Sequence, residues 1–233
     1  MTDKLNDDWR DRVAQVARAG LSAVPIVGGP LGEIVSEIIP GLRQDRIVKY
    51  LRELAARIET LEQDKIQAVT NDPERIDLIE TGGLLAAKAT TDERIQRIVS
   101  LVFRGLSMDD ANIIRRKRFA ALLGEVDDDE IQILNAYGQS YGVSGSDAWD
   151  SVNQPYPIHM QSSRQEMETE KLFELGREHL LRLGLIERKF SNTRKGEYPE
   201  FDPKTGGFKG RLEISFLGRM FLRELGIELP FKD

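Results

Sequence analysis

An uncharged stretch interrupted by glycine and proline is the feature that most constrains how this chain can fold. It covers residues 19–32 (AGLSAVPIVGGPLG), after which Glu33 and Glu37 interrupt a continuing apolar segment. A membrane-spanning helix needs about twenty apolar residues, and the glycines and prolines would break such a helix near its middle. The stretch therefore predicts two short helices, roughly Asp7–Val24 and Pro30–Ile39, joined by a Gly-Pro elbow.

Two interpretations of this hairpin stay open. It is a buried helical pair in the core, which is the favoured interpretation, or a segment that is buried at rest and inserts into a membrane when released. Insertion would require Glu33 and Glu37, which share one helical face, to face water or lose their charge. The apolar residues that would form a membrane or partner surface are Leu21, Val24, Ile26, Val27, Leu31, Ile34, Val35 and Ile38, and the hinge residues are Gly28, Gly29 and Pro30.

The region that follows has the apolar spacing of amphipathic helices. Apolar residues recur along it, mostly three to five positions apart, at Ile47, Tyr50, Leu51, Leu54, Ile58, Leu61 and Ile66. Such a stripe is typical of a helix with one buried face. Further helices are expected after Pro73, Thr91 and Ser107, and their buried sides are expected to include Ile76, Ile79, Leu84, Leu85 and Ala86 in the first of them. The pattern predicts a mainly α protein with a helical bundle over residues 1–137.

A dense basic run and a dense acidic run lie inside this bundle. The basic run is Arg115, Arg116, Lys117 and Arg118. Four consecutive helical residues point around the cylinder, so they cannot form one flat patch. A solvated face with acidic partners is favoured, and contact with anionic lipid or nucleic acid is the alternative. The acidic run, residues 127–130, is expected to cap the next helix rather than to bind a metal.

The C-terminal third predicts a winged-helix-like module. Residues 138–163 are rich in Gly, Ser, Asn and Pro and read as a linker or long loop. Residues 164–233 then follow the order helix, strand, excursion, strand, helix, with helices at about Arg164–Leu183 and Leu217–Leu225 and strands at Leu185–Phe190 and Arg211–Phe216. The spacing places Met167, Leu172, Leu175, His179 and Leu183 along one face of the first helix. The alternation on either side of the excursion predicts a small two-stranded β-hairpin.

Winged helices often bind DNA, so the charge of this module affects its interpretation. Its first helix holds four basic and five acidic residues, and residues 160–233 hold 14 basic and 13 acidic residues. A helix that reads DNA should be neutral to basic, because phosphate contacts supply most of the non-specific affinity. A protein-binding module is therefore favoured. A DNA reader that uses Arg188, Lys189, Arg194 and Lys195 is the alternative.

The side chains that most enzymes use are scarce. The chain has no cysteine and two histidines, His159 and His179, which excludes thiol catalysis, thiolate zinc sites and centres built from several histidines. A nucleophile elbow around Ser144 fails, because Ser146 stands where the motif needs its second glycine. We predict no catalytic, cofactor or metal site, and both histidines are expected to be ordinary surface or boundary residues. The chain is expected to be a cytoplasmic, non-enzymatic protein that associates with membranes on activation.

Two resemblances support this interpretation. The phrases IIRRKRFAALLGE, DDDEIQILNAY and HLLRLGLIERK, followed by LEISFLGRMFLREL, resemble the Abi-alpha family of abortive-infection proteins over about residues 91–226. The segment LSAVPIVGGPLGEIVSEIIP is similar to the first helices of HeLo-like bundles in bacterial defence and cell-death proteins. These resemblances imply a resting bundle whose first helices perturb membranes on triggering, and they imply no catalytic residue.

The resulting hypothesis is a phage-defence or abortive-infection protein that acts through its N-terminal helices, by membrane perturbation or by partner binding. A DNA-binding regulator and a helical scaffold or immunity partner are the alternatives. A protein partner or self-association is expected, a membrane is a further partner on activation, and nucleic acid is the least favoured partner.

Overall fold

A computed structural model describes most of the chain after the N-terminal segment, namely residues 39–61, 72–107, 113–140, 147–190, 198–203 and 207–230. This part is mainly helical, with seven α-helices and a small antiparallel hairpin near the C-terminus, which confirms the predicted fold class. The chain divides into two compact units between Glu125 and Val126. The predicted boundary after residue 137 lies one helix later, because the helix that contains residue 137 packs on the C-terminal elements.

The first unit contains four described helices. They are α1 (Ile39–Ile58), α2 (Pro73–Lys88), α3 (Asp92–Leu106) and α4 (Ile113–Glu125). The first three pack on one another, and α4 packs on α2 and α3. Side-chain caps start two of them: Asp72 accepts a hydrogen bond from the Glu74 amide at 2.9 Å, and Thr91 accepts one from the Arg94 amide at 3.1 Å. Such caps satisfy amide groups that the helix itself leaves without a partner.

A tyrosine–glycine contact fixes how α1 and α2 pack. Tyr50 is fully buried, and its hydroxyl donates a hydrogen bond to the Ile79 carbonyl at 3.1 Å. A Cβ at Gly82 would overlap the Tyr50 ring and lie 2.8 Å from Val102. Of the predicted stripe, Ile47, Tyr50, Leu51 and Leu54 are buried, Ile58 and Leu61 are partly exposed, and Ile66 lies outside the described residues.

The buried face of α2 differs from the prediction. Ala86 is buried as expected, but Leu84 is 58% exposed, and Leu78, Gly82 and Gly83 are buried instead. The remaining predicted members, Ile76, Ile79 and Leu85, are partly buried. The glycines allow Tyr50 to approach the backbone of α2, so the helix turns its small residues inward. A pattern that scores only large apolar residues cannot find a buried face made of glycine.

The second unit begins with α5 (Asp128–Ser140) and a short 3-10 turn (Asp147–Trp149), and α6 (Arg164–Arg182) follows after a loop. Next come β1 (Ile186–Lys189), β2 (Phe201–Asp202), β3 (Gly207–Phe208), β4 (Arg211–Ile214) and α7 (Phe216–Glu224). The order helix, strand, excursion, strand, helix is therefore confirmed. The excursion contains a second small hairpin, β2–β3, which the sequence did not predict.

The core of the second unit is built around α5. This helix contacts the 3-10 turn, α6, β4 and α7. Trp149 from the predicted linker is buried against Tyr137, with ring centroids 4.8 Å apart in an edge-to-face contact. Its indole N–H donates to the Ser140 hydroxyl at 2.9 Å. The start of the predicted linker, residues 138–140, is helical, and its Trp149 belongs to the core, because a buried indole needs both apolar contact and a partner for its N–H.

One serine joins the hairpin to α7. Strand β1 pairs with β4 in the register Ile186↔Ile214. The Ser215 hydroxyl donates to the Gly184 carbonyl at 2.6 Å and accepts from the Gly218 amide at 2.9 Å, which caps α7. Gly184 has φ of +71°, a conformation that glycine adopts at little cost. Ser215 thus links the residue that follows α6, through the Gly184 carbonyl, to the first turn of α7, through the Gly218 amide.

Candidate partner-binding surface

The structure separates the members of the basic run. The Arg115 guanidinium lies 5.6 Å from the centre of the Phe119 ring, while the neighbouring Arg116 is 2% exposed. Burial, together with the nearby charges of Arg115 and Arg104, lowers the pKa of Arg116 to about 10. A buried guanidinium is unavailable to a lipid or nucleic-acid phosphate, so Arg116 is a structural residue of the first unit.

The remaining members of the run lie on different sides of α4. Lys117 forms ion pairs with Glu74 and, at 2.6 Å, with Asp77, and hydrogen bonds to both carboxylates raise the pKa of Lys117. Arg118 is exposed. The four residues do not form one patch, and Lys117 has the acidic partners that a solvated face was expected to have.

The predicted cations of the wing lie beside carboxylates or backbone carbonyls. Arg188 donates to the Phe208 carbonyl at 3.1 Å, and Lys189 lies 2.9 Å from Glu187. In the same hairpin region Lys209 and Arg211 pair with Glu200 and Glu213. Arg194 and Lys195 lie outside the described residues. Since these ion pairs are solvent-exposed, they are weak, but each carboxylate reduces the local positive potential that a phosphate would meet.

An aromatic cluster on the wing was not predicted. Phe208 packs edge-to-face against Phe190 and Phe201, with ring centroids 6.3 and 5.9 Å apart. All three rings are about half exposed. Phe190 directly follows β1, and Phe201 belongs to β2 within the excursion. The pairing of β2 with β3 brings Phe201 opposite Phe208. Because this contact depends on a hairpin of two-residue strands, no periodic signal in the sequence marked it.

Helix α6 exposes leucine side chains in the middle of its length. Leu172 is 69% exposed and Leu175 is 62% exposed, whereas Leu180 is fully buried. Sequence spacing placed both exposed leucines on one face with Met167, His179 and Leu183. The two leucines lie outside the core, because α6 packs on α5 through His179 and near Gly176, where an added Cβ would lie 3.5 Å from Glu130.

The loop before α6 adds further exposed apolar side chains. Tyr156, Ile158 and Met160 are exposed, and Met167 in the second turn of α6 is exposed as well. Exposed apolar residues scattered singly are normal, whereas Leu172 and Leu175 lie three positions apart on one helix face and are neighbours there, as residues of an interaction surface would be. We call Leu172 and Leu175 the α6 leucine pair.

A buried carboxylate fixes the orientation of α6. Oε1 of Glu130 lies 2.6 Å from Nδ1 of His179, and Oε2 accepts a hydrogen bond from the Asp127 amide at 3.0 Å. In return, Asp127 accepts a hydrogen bond from the Glu130 amide at 2.7 Å, so the acidic run caps α5 as predicted. His179 is therefore a partly buried structural residue, and His159 stabilises a turn by accepting from the Gln161 amide at 3.1 Å.

The described residues offer no cluster of three or more histidine and carboxylate side chains that could hold a metal ion. Within the same described ranges, no helix combines the length and the apolar character needed to cross a bilayer. The predicted membrane or partner surface and its hinge, within residues 21–38, lie outside the described residues. The α6 leucine pair is thus the candidate surface that the described geometry supports best.

Comparison with known proteins finds no matching family model, no matching curated protein and no matching solved structure. The function is therefore argued from the geometry of the chain and from the chemistry of its residues.

Proposed function

We propose that this chain is a non-enzymatic protein of the abortive-infection type that acts by physical contact. In this proposal the C-terminal unit recognises a protein partner, and the N-terminal apolar segment acts on a membrane or on a second protein surface. The observation that carries the proposal is the exposure of Leu172 and Leu175 in the middle of α6. Apolar surface that stays in water costs a free energy of about 25 cal/mol per Å². A partner that covers the two leucines recovers this free energy.

The same helix argues against the DNA-binding alternative. In a winged-helix module that reads DNA, the helix before the hairpin is expected to present cations to phosphates and polar groups to base edges. Here the exposed centre of α6 presents Leu172 and Leu175, and Lys171 beside them forms an ion pair with Glu174 at 2.6 Å. This chemistry fits an apolar protein surface better than a polyanion.

A phage challenge in a bacterial host that expresses the chain tests the contact function. We expect the wild type to reduce the number of plaques at least tenfold, and we expect the double variant Leu172→Glu/Leu175→Glu to lose this protection. The matched control is Leu84→Glu, which makes the same substitution at a leucine of similar exposure on α2. Full protection by the double variant would contradict a role for the α6 leucine pair.

The N-terminal half of the proposal requires a separate test. We expect the wild type to release dye from vesicles that contain anionic lipid, and we expect Ile34→Asp to abolish release, because an added carboxylate is costly in the bilayer interior. Gly29→Trp should also reduce release by altering the predicted hinge. Vesicles that stay intact with wild-type protein, across neutral and anionic compositions, would contradict the membrane role and leave the partner-binding role standing.

A further inference from the structure

We infer that the α6 leucine pair binds a second copy of this chain, with the two α6 helices antiparallel. This inference rests on the proposed contact function and identifies the partner. Residues 165, 168, 172, 175, 179 and 182 follow one another at intervals of three and four, which places them along one stripe of α6. The leucine pair forms the centre of that stripe and is 69% and 62% exposed, while His179 on the same stripe contacts Glu130 of α5.

The charges along the stripe favour an antiparallel pair. Towards the N-terminus the stripe holds Glu168, and towards the C-terminus it holds Arg182, and both are exposed. Two antiparallel copies bring the acidic end of one helix towards the basic end of the other. Within each copy Glu168 already contacts Arg164 at 2.7 Å, so Arg182 of the second copy would extend an existing ion pair.

The flanking charges distinguish the two orientations. Lys171 and Glu178 are exposed, lie seven residues apart, and border the stripe on the same side. In an antiparallel pair centred between Leu172 and Leu175, Lys171 of each copy lies opposite Glu178 of the other, so two ion pairs form by symmetry. In a parallel pair Glu168 and Arg182, which lie on the stripe itself, would instead each meet their own copy, so like charges would repel. Charge complementarity thus selects the antiparallel second copy.

Reversal of these two charges gives a test with an internal control. The full chain is examined by sedimentation velocity between ~1 and ~200 µM, a range that covers micromolar dissociation constants. We expect Lys171→Glu and Glu178→Lys each to raise the dissociation constant about tenfold. The double variant Lys171→Glu/Glu178→Lys should recover wild-type affinity, because its opposite charges again face each other between copies. Residues seven apart on one helix are separated by about 10 Å, so positions 171 and 178 do not contact each other directly within one chain.

Mixing the two single variants sharpens the result. A Lys171→Glu chain carries two acids, and a Glu178→Lys chain carries two bases, so an equal mixture should form a heterodimer although each variant alone associates poorly. Leu172→Glu/Leu175→Glu should be monomeric throughout the range, while Leu84→Glu should associate like the wild type. Circular dichroism of each variant confirms that α6 remains folded.

The absence of native cysteine allows the orientation to be measured directly. An equal mixture of Gln165→Cys and Arg182→Cys chains should form a disulfide between chains on oxidation, because these positions meet in the antiparallel arrangement. Neither variant alone should do so efficiently, since seventeen residues of helix separate the two positions by about 25 Å and a disulfide needs Cα atoms within about 7 Å.

Three outcomes would overturn the inference: a wild type that stays monomeric up to ~200 µM, a dimer insensitive to the charge and leucine variants, or efficient cross-linking of each single cysteine variant alone. If the wild type is monomeric but Leu172→Glu/Leu175→Glu still loses phage protection, the contact function stands and its partner is a different protein. Loss of self-association with retained protection would instead contradict the contact function at this surface.

Discussion

Gly82 shows how much of this fold depends on a residue with no side chain. The Tyr50 ring occupies the space where a Cβ would lie, and Val102 closes that space from α3. Tyr50 is fully buried, and burial raises the pKa of its hydroxyl well above the ordinary value. The tyrosine therefore stays neutral, and its hydroxyl can donate to the Ile79 carbonyl across the physiological range.

We predict that Gly82→Ala destabilises the first unit by about 1–3 kcal/mol, because the added methyl forces Tyr50 or Val102 out of position. Hydrogen exchange measured by mass spectrometry should accelerate in peptides from α1, α2 and α3. Gly124→Ala is the matched control: its Cβ would meet Leu85 at 3.2 Å, and alanine has a higher helix propensity than glycine. Equal exchange in the two variants would contradict the proposed packing.

Glu130 has two structural tasks at once, since it caps α5 and contacts His179 of α6. We predict that Glu130→Ala lowers the free energy of unfolding by about 1–3 kcal/mol, because it removes the acceptor of the Asp127 amide and the partner of the partly buried His179. Glu130→Gln should cost less, since its amide oxygen still accepts from the Asp127 amide. Urea denaturation measures both, with the exposed Asp129→Ala as control. A Gln variant as unstable as the Ala variant would argue against the capping role.

At the scale of elements, α6 begins with a complete capping box. The Ser163 hydroxyl accepts from the Glu166 amide at 3.2 Å, and the Glu166 carboxylate accepts from the Ser163 amide at 2.7 Å. The hydrogen bond that the Glu166 carboxylate accepts from the Ser163 amide, followed by its interaction with the Ser163 side chain, lowers the pKa of Glu166 below its ordinary value. The capping box thereby sets Ser163 as the N-cap of the helix that carries the leucine pair.

We predict that Ser163→Ala destabilises α6 by about 1 kcal/mol, because it removes the side chain that caps the helix.

We also predict that the contribution of Glu166 to the free energy of unfolding depends on pH. Because the pKa of Glu166 is lower in the folded state, the unfolded chain takes up the proton first as pH falls. The stabilisation is therefore present above the ordinary pKa of 4.5 and disappears as pH drops through the lower folded value. The stability difference between wild type and Glu166→Gln, measured from pH 7 to pH 2, should shrink over that window. A constant difference would contradict this linkage.

Several elements could be predicted from the sequence because their signals are local. The bounds of α6, β1, β4 and α7 agree with the predicted bounds within about two residues, since caps, Gly184 and strand alternation mark them. The face of α6 that packs could not be predicted in the same way. Leucine spacing identified a stripe, but Gly176 and the Glu130–His179 contact decide which side of the helix meets α5.

At the scale of the whole molecule, the predicted boundary and the observed division differ by one helix. The composition change after residue 137 marks the start of a segment rich in Gly, Ser, Asn and Pro. The division at Glu125 and Val126 instead follows the packing of α5 on the C-terminal elements. Long-range contacts of this kind have no signature in local composition. The same limit applies to the wing aromatics, which a short hairpin brings together.

The charge of the whole chain gives a further prediction. At about 50 mM salt, where electrostatic affinity is strong, we expect no salt-dependent binding of duplex DNA, because the formal net charge is −6 and the described wing cations lie beside carboxylates or carbonyls. Fluorescence anisotropy of a labelled duplex measures this. Binding that weakens with added salt and with Arg194→Ala/Lys195→Ala would instead support the DNA-binding alternative.

The burial of Trp149 beside Tyr137 has an optical consequence. The sequence contains two tryptophans, Trp9 and Trp149. In a Trp9→Phe chain all indole emission would come from Trp149, which is buried against Tyr137 and donates a hydrogen bond to the Ser140 hydroxyl. Opening of the second unit would shift that emission to longer wavelength as water reaches the ring. The emission wavelength of Trp149 would therefore report whether the second unit stays folded while the chain binds a vesicle, a partner or another copy of itself.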